Sequence, residues 1–431
     1  MPTKPFRQAA FTKPLPIRQP DLFGALERLR LDQRKHIDRR RWRRRIKRGA
    51  GTGGARLARS DFEKAQELSE VGAGLQLAPN AMRHLERLGV ADRLSGTGVT
   101  PKALYLMDGR KARPLLAMQL GDTARNRWHH PYIVCHRADL QSALLDACRN
   151  APGIEINLGA EMTDQRMTGN SITATIKREN SVETVEAAYL VACDGVWSMQ
   201  RAKAGYSKAR FSGHIAWRTT LAADALPASF LGAMPEHKAV SAWLGNKAHF
   251  IAYPVKGGNF FNFVAITGGE NPGEVWSKTG DHAHLQSIYA DWSKPVHEIL
   301  AATRDWTYWP LFEMADAQFV GPDRTIFLGD ASHAVTPFAA QGAAMAIEDA
   351  AALAQALDSD DQAAGLKRFD SVRKERIAAV AKRGQLNRFA YHATGIFALG
   401  RNMLFAVRSP ETFLKDLDWL YGYDAALAVR N

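Results

Sequence analysis

Along the first 48 residues apolar side chains recur with no clear period; from Phe62 onward they recur with two. Residues 80–88 (NAMRHLERL) place Met82, Leu85 and Leu88 at helical spacing, with Gly89 as a stop signal. Residues 137–148 repeat that pattern through Leu140, Leu144 and Leu145. Between about 205 and 310 the texture becomes strand-like. Two aromatic and β-branched runs, 249–254 and 260–266, flank Lys256-Gly257-Gly258 and predict a hairpin. Residues 325–328 (TIFL) predict a short buried strand ending at Gly329-Asp330, and another apolar strand ends at Asp194-Gly195. An Ala-rich helix is expected over 342–357, and one or two amphipathic helices over 364–405. Strands and helices mixed in this way predict an α/β fold. No internal repeat is apparent.

Length and composition narrow the class. The 431 residues, 46% hydrophobic, suffice for two or three domains with a sizeable core. No apolar run approaches the roughly 20 residues that cross a bilayer, and the start lacks the short apolar region of a secretory signal. Cys135, Cys148 and Cys193 have no metal-ligand spacing, so no metal is expected, and a reducing cytoplasm is the simplest location. The net charge of +13 suggests a nucleic-acid partner until it is divided along the chain. Residues 1–60 hold 18 Lys/Arg against 4 Asp/Glu, while the other 371 residues hold 39 against 40. A duplex-binding body would be expected to carry its own basic face; this body is neutral.

The basic run 39–48 leads directly into Gly49-Ala50-Gly51-Thr52-Gly53-Gly54, a G-x-G-x-x-G loop. A dinucleotide loop needs an apolar strand before it, a helix after it and an acid about 20 positions on. Here the preceding WRRRIKR (42–48) cannot be buried, and eight residues separate Gly54 from Glu63, the available acid. The motif is therefore compatible either with dinucleotide binding or with a simple glycine-rich loop.

Longer blocks are more specific. From Phe62 the stretch FEKAQELSEVGAGLQLAPNAMRHLERLG resembles the flavin-dependent aromatic hydroxylases, specifically the salicylate-hydroxylase-like class A monooxygenases. HRADLQSALL (136–145), LVACDGVWSMQR (190–201) and LGDASHAVTPFAAQGAAMAIEDA (328–350) are similar to further motifs of that family, as are WTYWPLF (306–312) and DWLYGYD (418–424). The resemblance spans about 62–424 in the family's order. It implies a Rossmann-like FAD-binding domain split in sequence (49–204 and 313–360), a substrate domain with a mixed or antiparallel sheet (205–312), and C-terminal helices (361–431). Residues 1–48 stand outside these as a basic, poorly ordered segment. The implied cofactor is FAD. The implied reactants are NADH or NADPH, O2 and a small phenolic or hydroxy-heteroaromatic acid, handled by a monomer or homodimer without nucleic-acid or membrane partners. The chain departs from the family pattern at its N-terminus, where the apolar strand and much of the helix are replaced by Arg-dense sequence. A shifted reading frame would produce such a run, and the alternatives it leaves open are an inactive homologue with an impaired FAD site or nucleic-acid binding through the basic arm 39–48.

The resemblance and the residue chemistry together nominate a site. Asp330, after Gly329 at the end of a strand, suits hydrogen bonds from ribityl hydroxyls, or is a cap or turn aspartate. Gln341, Gly342 and Ala343 open a helix whose free N–H groups suit a reduced flavin's pyrimidine edge. Gly49, Gly51, Gly54 and Glu63 would hold the ADP half. Arg137 offers a planar fork to the cofactor or is a surface arginine; Asp194 and Gly195 lie near phosphates or make a tight turn. Pro337 shapes the loop laid against the flavin. His249 and Tyr253, four apart on a strand, face one side. The resemblance implies that His249 takes a phenol proton, with Tyr253 beside it; the other reading is a core histidine. His214, Trp217 and Arg218 are weaker pocket candidates. His333 lies near the flavin if the motif holds, and Cys193 reads as a small buried residue.

Overall fold

The structure, a computed structural model, describes residues 59–68, 74–273 and 278–430. The basic segment 1–48 and the predicted loop glycines Gly49, Gly51 and Gly54 lie outside the described residues.

An eight-stranded mixed sheet dominates. Its strands run, edge to edge, Lys278–Thr279, Thr307–Glu313, Arg210–Ala222, Phe260–Gly268, Ala248–Val255, Ala239–Leu244, Ala103–Asp108 and Arg113–Gln119. All neighbours are antiparallel except Ala239–Leu244 with Ala103–Asp108. The expected hairpin pairs His249 with Ile266 and Tyr253 with Asn262. Lys256, Gly257 and Gly258, all at positive φ, close it; two glycines make that affordable because they lack a Cβ. Ala103–Asp108 and Arg113–Gln119, expected with the first domain, extend this sheet instead. Ala239–Leu244 is buried along its whole length, so both of its edges need backbone partners, and the Ala103–Asp108 strand supplies one.

The sheet's two faces carry different cores. Its back face (Phe250, Phe261, Phe263, Trp217, Trp243) packs with Phe230, Leu285, Tyr289 and Val296 from three helices, Ala228–Ala233, His282–Ile288 and Lys294–Ala302. Trp292 fits against Gly109 and Gly245, where an added Cβ would lie 2.4 and 2.2 Å from its ring. The front face (Leu106, Val240, Ile251, Tyr253) packs against the other half of the chain.

That half is built around two parallel strand pairs, Arg59–Glu63 with Ile154–Leu158 and Leu190–Ala192 with Thr325–Phe327. Gly74–Leu77 pairs with Ile133–His136, and a three-stranded antiparallel sheet spans Glu161–Thr168, Ser171–Arg178 and Ser181–Ala187. The Ala-rich helix Gly342–Leu357 packs on Pro79–Arg87, on the long helix Gln362–Tyr391 and on the terminal Ala425–Arg430. Among the described residues no helix is long and apolar enough to cross a membrane.

Candidate active site

Strand alternation sorts the predicted residues by face. Along Arg210–Ala222, Trp217 points into the back core and its Nε1 donates to Thr267 Oγ1 at 3.1 Å. The front positions are His214, Ala216 and Arg218. Ala216 packs with Ile266 and Phe338, and with Val264, Trp309 and Leu311. His249, Ile251 and Tyr253 continue this face two strands over. Trp217 is thus a packing residue, for a period-two reason visible in the strand itself.

His249 is fully buried. Its Nδ1 lies 2.8 Å from Nε2 of His392, its Nε2 has no partner among the described residues, and its ring lies against Phe338 and Tyr391. Burial, then the neighbouring His392 and His214, hold it well below the usual histidine range. His214 points Nδ1 at the Ser212 carbonyl, 2.9 Å away, so that nitrogen carries the proton. Tyr253 is buried and its hydroxyl is pushed above its ordinary value by burial, with Arg218 pulling the other way. Gly74, where a Cβ would sit 2.5 Å from the Tyr253 ring, donates its N–H to Asn262 Oδ1 at 2.7 Å. Arg218 stacks its guanidinium 5.3 Å from the centre of the Trp309 ring. Among the described residues its Nε has no hydrogen-bond partner and no carboxylate pairs with it.

A crevice opens beside this face, at the carboxyl ends of the parallel strands. Cys193, Asp194 and Gly195 follow one strand, Gly329 and Asp330 the other. Cys193 and Asp330 are both reachable by water, yet surrounding protein pushes the thiol up to about 11 and raises the carboxyl above its ordinary value. Cys193 is therefore exposed in a crevice rather than buried as expected. Asp330 makes no hydrogen bond or ion pair among the described residues; His333 and Arg137 act on its charge. Arg137 begins the helix Arg137–Asn150 and acts on Arg218 as well, so it stands between crevice and sheet. Asp194 accepts from the Gln200 N–H at 3.3 Å, and Gly195 sits at φ 78°. Glu63 ends its strand and accepts the Ala65 N–H at 2.8 Å. Gln341 is the N-cap of Gly342–Leu357, whose first turn, with Gly342 and Ala343, has no side-chain cap and no acid. Pro337 begins a short turn that places Phe338 on the sheet.

These groups suit FAD. An unpaired carboxylate would accept hydrogen bonds from a polyhydroxyl chain, and uncapped helix N–H groups beside it favour an electron-rich ring. Among the described residues a Cβ at Gly342 would meet nothing within 4 Å, leaving room beside the backbone there.

A buried charge network that no local pattern announced supports the crevice. Asp349 accepts from the Gly329 N–H (3.0 Å), His333 Nε2 (2.6 Å) and Arg373 Nε (2.8 Å). Glu348 accepts from Asn80 (2.7 Å), Arg373 (2.6 Å) and Arg376 (2.8 Å). Asn80 also donates to Gln341 Oε1 at 3.0 Å. Burial alone would raise both carboxyls; His333 and Arg373 for Asp349, and Arg373 and Arg376 for Glu348, outweigh it and hold both below the carboxylate range. Arg201, 2% exposed, donates to the carbonyls of Ser207, Ser332 and Asp316, tying the Asp194 loop to the Asp330 loop. Of these, Glu348, Asp349 and Arg201 lay inside motifs already recognised; Arg373 and Arg376 lay in a helix read only as amphipathic, and His392 carried no sequence signal. Among the described residues no group of three metal-ligating side chains converges.

Residues 62–385 match the FAD binding domain family. The chain is 33% identical over 390 residues to a 3-hydroxybenzoate 6-hydroxylase of Aquipseudomonas alcaligenes, covering 87% of this chain and 96% of that one. It is 32% identical over 370 residues to a 3-amino-4-hydroxybenzoate 2-monooxygenase of Streptomyces platensis, covering 85% and 90%. A salicylate hydroxylase substrate complex shares the fold at TM-score 0.71 and 20% identity, over 86% of this chain and 96% of that one.

Proposed function

Because the chain belongs to the FAD-dependent class A aromatic monooxygenases and is a flavin-dependent aromatic hydroxylase, we propose that it hydroxylates a small phenolic acid with NADH or NADPH and O2. What carries this reading is one sheet face, where an unpaired cation and a buried imidazole with an unpartnered nitrogen stand together. Arg218 and Ile251, next to His249 on that face, are paired to the same residue, Val264, so two strand spacings, about 10 Å, separate their backbones. A hydroxybenzoate laid along the face would turn its carboxylate to Arg218 and its hydroxyl to Nε2 of His249.

In this reading Asp330, Arg137, the Asp194-Gly195 turn, Glu63 and the N-terminus of Gly342–Leu357 hold FAD, with Gly329, Gln341 and Ala343 shaping their positions. Bound FAD, reduced and reacted with O2, supplies an electrophilic oxygen. The chain's own part is to bind the acid, take the phenol proton at His249 Nε2 and exclude water. Losing the proton would enrich the ring carbons in electrons and so prepare them for that oxygen. Phe338, Val264 and Ile266 provide the dry surroundings in which such charges act strongly. Three unpaired cysteines suit a reducing cytoplasm.

The test begins with the visible spectrum after incubation with FAD and desalting, followed by NADH oxidation with 3-hydroxybenzoate. Retained flavin bands and substrate-stimulated oxidation are expected. His249→Ala should keep the flavin and lose about 10²–10⁴-fold in turnover. A colourless protein, or a His249→Ala enzyme with parental turnover, would refute the assignment.

A further inference from the structure

The strongest unexplained contact near the site is between two imidazoles. His249 and His392 are 143 positions apart, yet their Nδ1 and Nε2 approach to 2.8 Å. His392 caps the C-terminus of Gln362–Tyr391 and is partly exposed, whereas His249 is fully enclosed. One histidine thus faces the protein interior with a free nitrogen, and the other joins it to the outside.

We propose that His392 is the second station of a proton relay, receiving through His249 the proton of the substrate hydroxyl and passing it to solvent. This rests on the reading of His249 as the base. The hydrogen-bond directions are forced by that role. To accept a proton at Nε2, His249 must carry its own on Nδ1, which then donates to a lone pair on His392 Nε2; His392 is in turn protonated on Nδ1.

The transfer balances. The substrate O–H breaks as a proton joins His249 Nε2. The Nδ1–H of His249 breaks as that proton joins His392 Nε2, and Nδ1 of His392 releases its proton to water. The result is a bound phenolate, one proton in solution and two neutral rings with exchanged tautomers. The return of a proton to the product runs the chain backwards. The relay answers a physical need, since an imidazolium held at an enclosed site is strongly disfavoured. Handing the charge to a partly exposed ring removes it from the dry face before it accumulates.

Beyond each other, the two rings face His214, Tyr391, Arg388 and Tyr289. His214 comes from the strand Arg210–Ala222, and its Nδ1 is engaged with the Ser212 carbonyl. Tyr391 packs edge-on against His249, and Arg388 from the same helix acts on His392 as a positive charge. From the other side Tyr289 donates its hydroxyl to the His249 carbonyl, at 2.9 Å. Among the described residues no carboxylate is among the groups acting on either ring, which favours export of the proton over its storage beside the pair.

His392 acts through His249 and is a positioning residue, so its test reads proton movement directly. FAD-loaded full-length enzyme is mixed with 3-hydroxybenzoate in weak buffer containing a pH indicator, and proton release is followed with the phenolate absorbance. In His392→Gln, FAD and substrate should bind as in the parent while proton release and phenolate formation slow at least tenfold. Added imidazole should restore part of the rate to His392→Ala. His249→Ala should form no phenolate. Parental release from His392→Gln together with loss in His249→Ala overturns the relay and leaves the base assignment standing; parental phenolate in His249→Ala overturns both. Independently of turnover, ¹⁵N-histidine spectra of the full chain should show His249 as the Nδ1–H tautomer with a hydrogen-bonded proton that shifts in His392→Gln. The opposite tautomer at His249 would rule the relay out.

Discussion

Asp349→Asn isolates what the buried charge network contributes, because it preserves shape and removes one charge. Asp349 is 0% exposed and its oxygens serve three donors: the Gly329 N–H, His333 and Arg373. With asparagine, Glu348 alone remains to balance Arg373 and Arg376, and an amide NH2 must face groups that themselves donate. Breaking one side of a buried pair typically costs about 3–5 kcal/mol, a large share of the roughly 5–15 kcal/mol that holds a domain folded. The loss has a functional side. Gly329 sits at φ 58° and ψ −140°, a conformation that favours glycine, and its N–H is anchored by Asp349. Freed of that anchor, the turn no longer fixes Asp330. Urea unfolding followed by tryptophan fluorescence should show the destabilisation, and FAD titration should show at least tenfold weaker binding. Adding Arg373→Met removes the excess positive charge and should recover part of the stability. A single variant that unfolds within about 1 kcal/mol of the parent and binds FAD equally would refute the clamp.

Three further outcomes are expected. His84 is fully buried with neither ring nitrogen partnered among the described residues, and burial pushes it down to about 4. The unfolded chain takes up that proton near pH 6.5 and the folded chain refuses it until about 4, so stability is whole above this window and falls as pH drops through it, by up to about 3 kcal/mol. His84→Leu should flatten the urea midpoint between pH 6.5 and 4 by that amount; an unchanged slope would contradict it. Gly245→Ala drives a Cβ into the Trp292 ring and should cost about 1–3 kcal/mol with an altered near-ultraviolet dichroism signal; parental stability would show that Trp292 has room to move. Arg218→Met should raise KM for 3-hydroxybenzoate about 10–100-fold while barely changing it for uncharged phenols, as loss of a charged hydrogen bond requires; equal effects on both would remove Arg218 from carboxylate binding.

The elements legible in the sequence were those whose signal is local. The helix Gly342–Leu357 starts and stops where its alanine-rich run does, and the hairpin turn announced itself through two glycines. Alternation also implied that His249 and Tyr253 share a face. The same rule, applied to 214–218, would have separated Trp217 from its neighbours. What stayed hidden depends on distant partners. The strands Ala103–Asp108 and Arg113–Gln119 join the large sheet through an edge created more than a hundred residues later. Arg373 and Arg376 look like any solvated helical arginines until Glu348 and Asp349 are packed beneath them. His392 follows a helix end with no pattern of its own, and only the fold brings it to His249.

The parallel pair Leu190–Ala192 with Thr325–Phe327 brackets, along the chain, six of the eight strands of the large sheet. During synthesis the first strand therefore emerges without its partner. At roughly 5–20 residues per second, on the order of 10 s pass before the second appears. Arg373 and Arg376, which neutralise the carboxylates under the crevice, come later still. The ribosome thus imposes an order of assembly in which the substrate sheet can form first and the nucleotide crevice closes last. The loops that would hold FAD therefore meet only once most of the chain has been made.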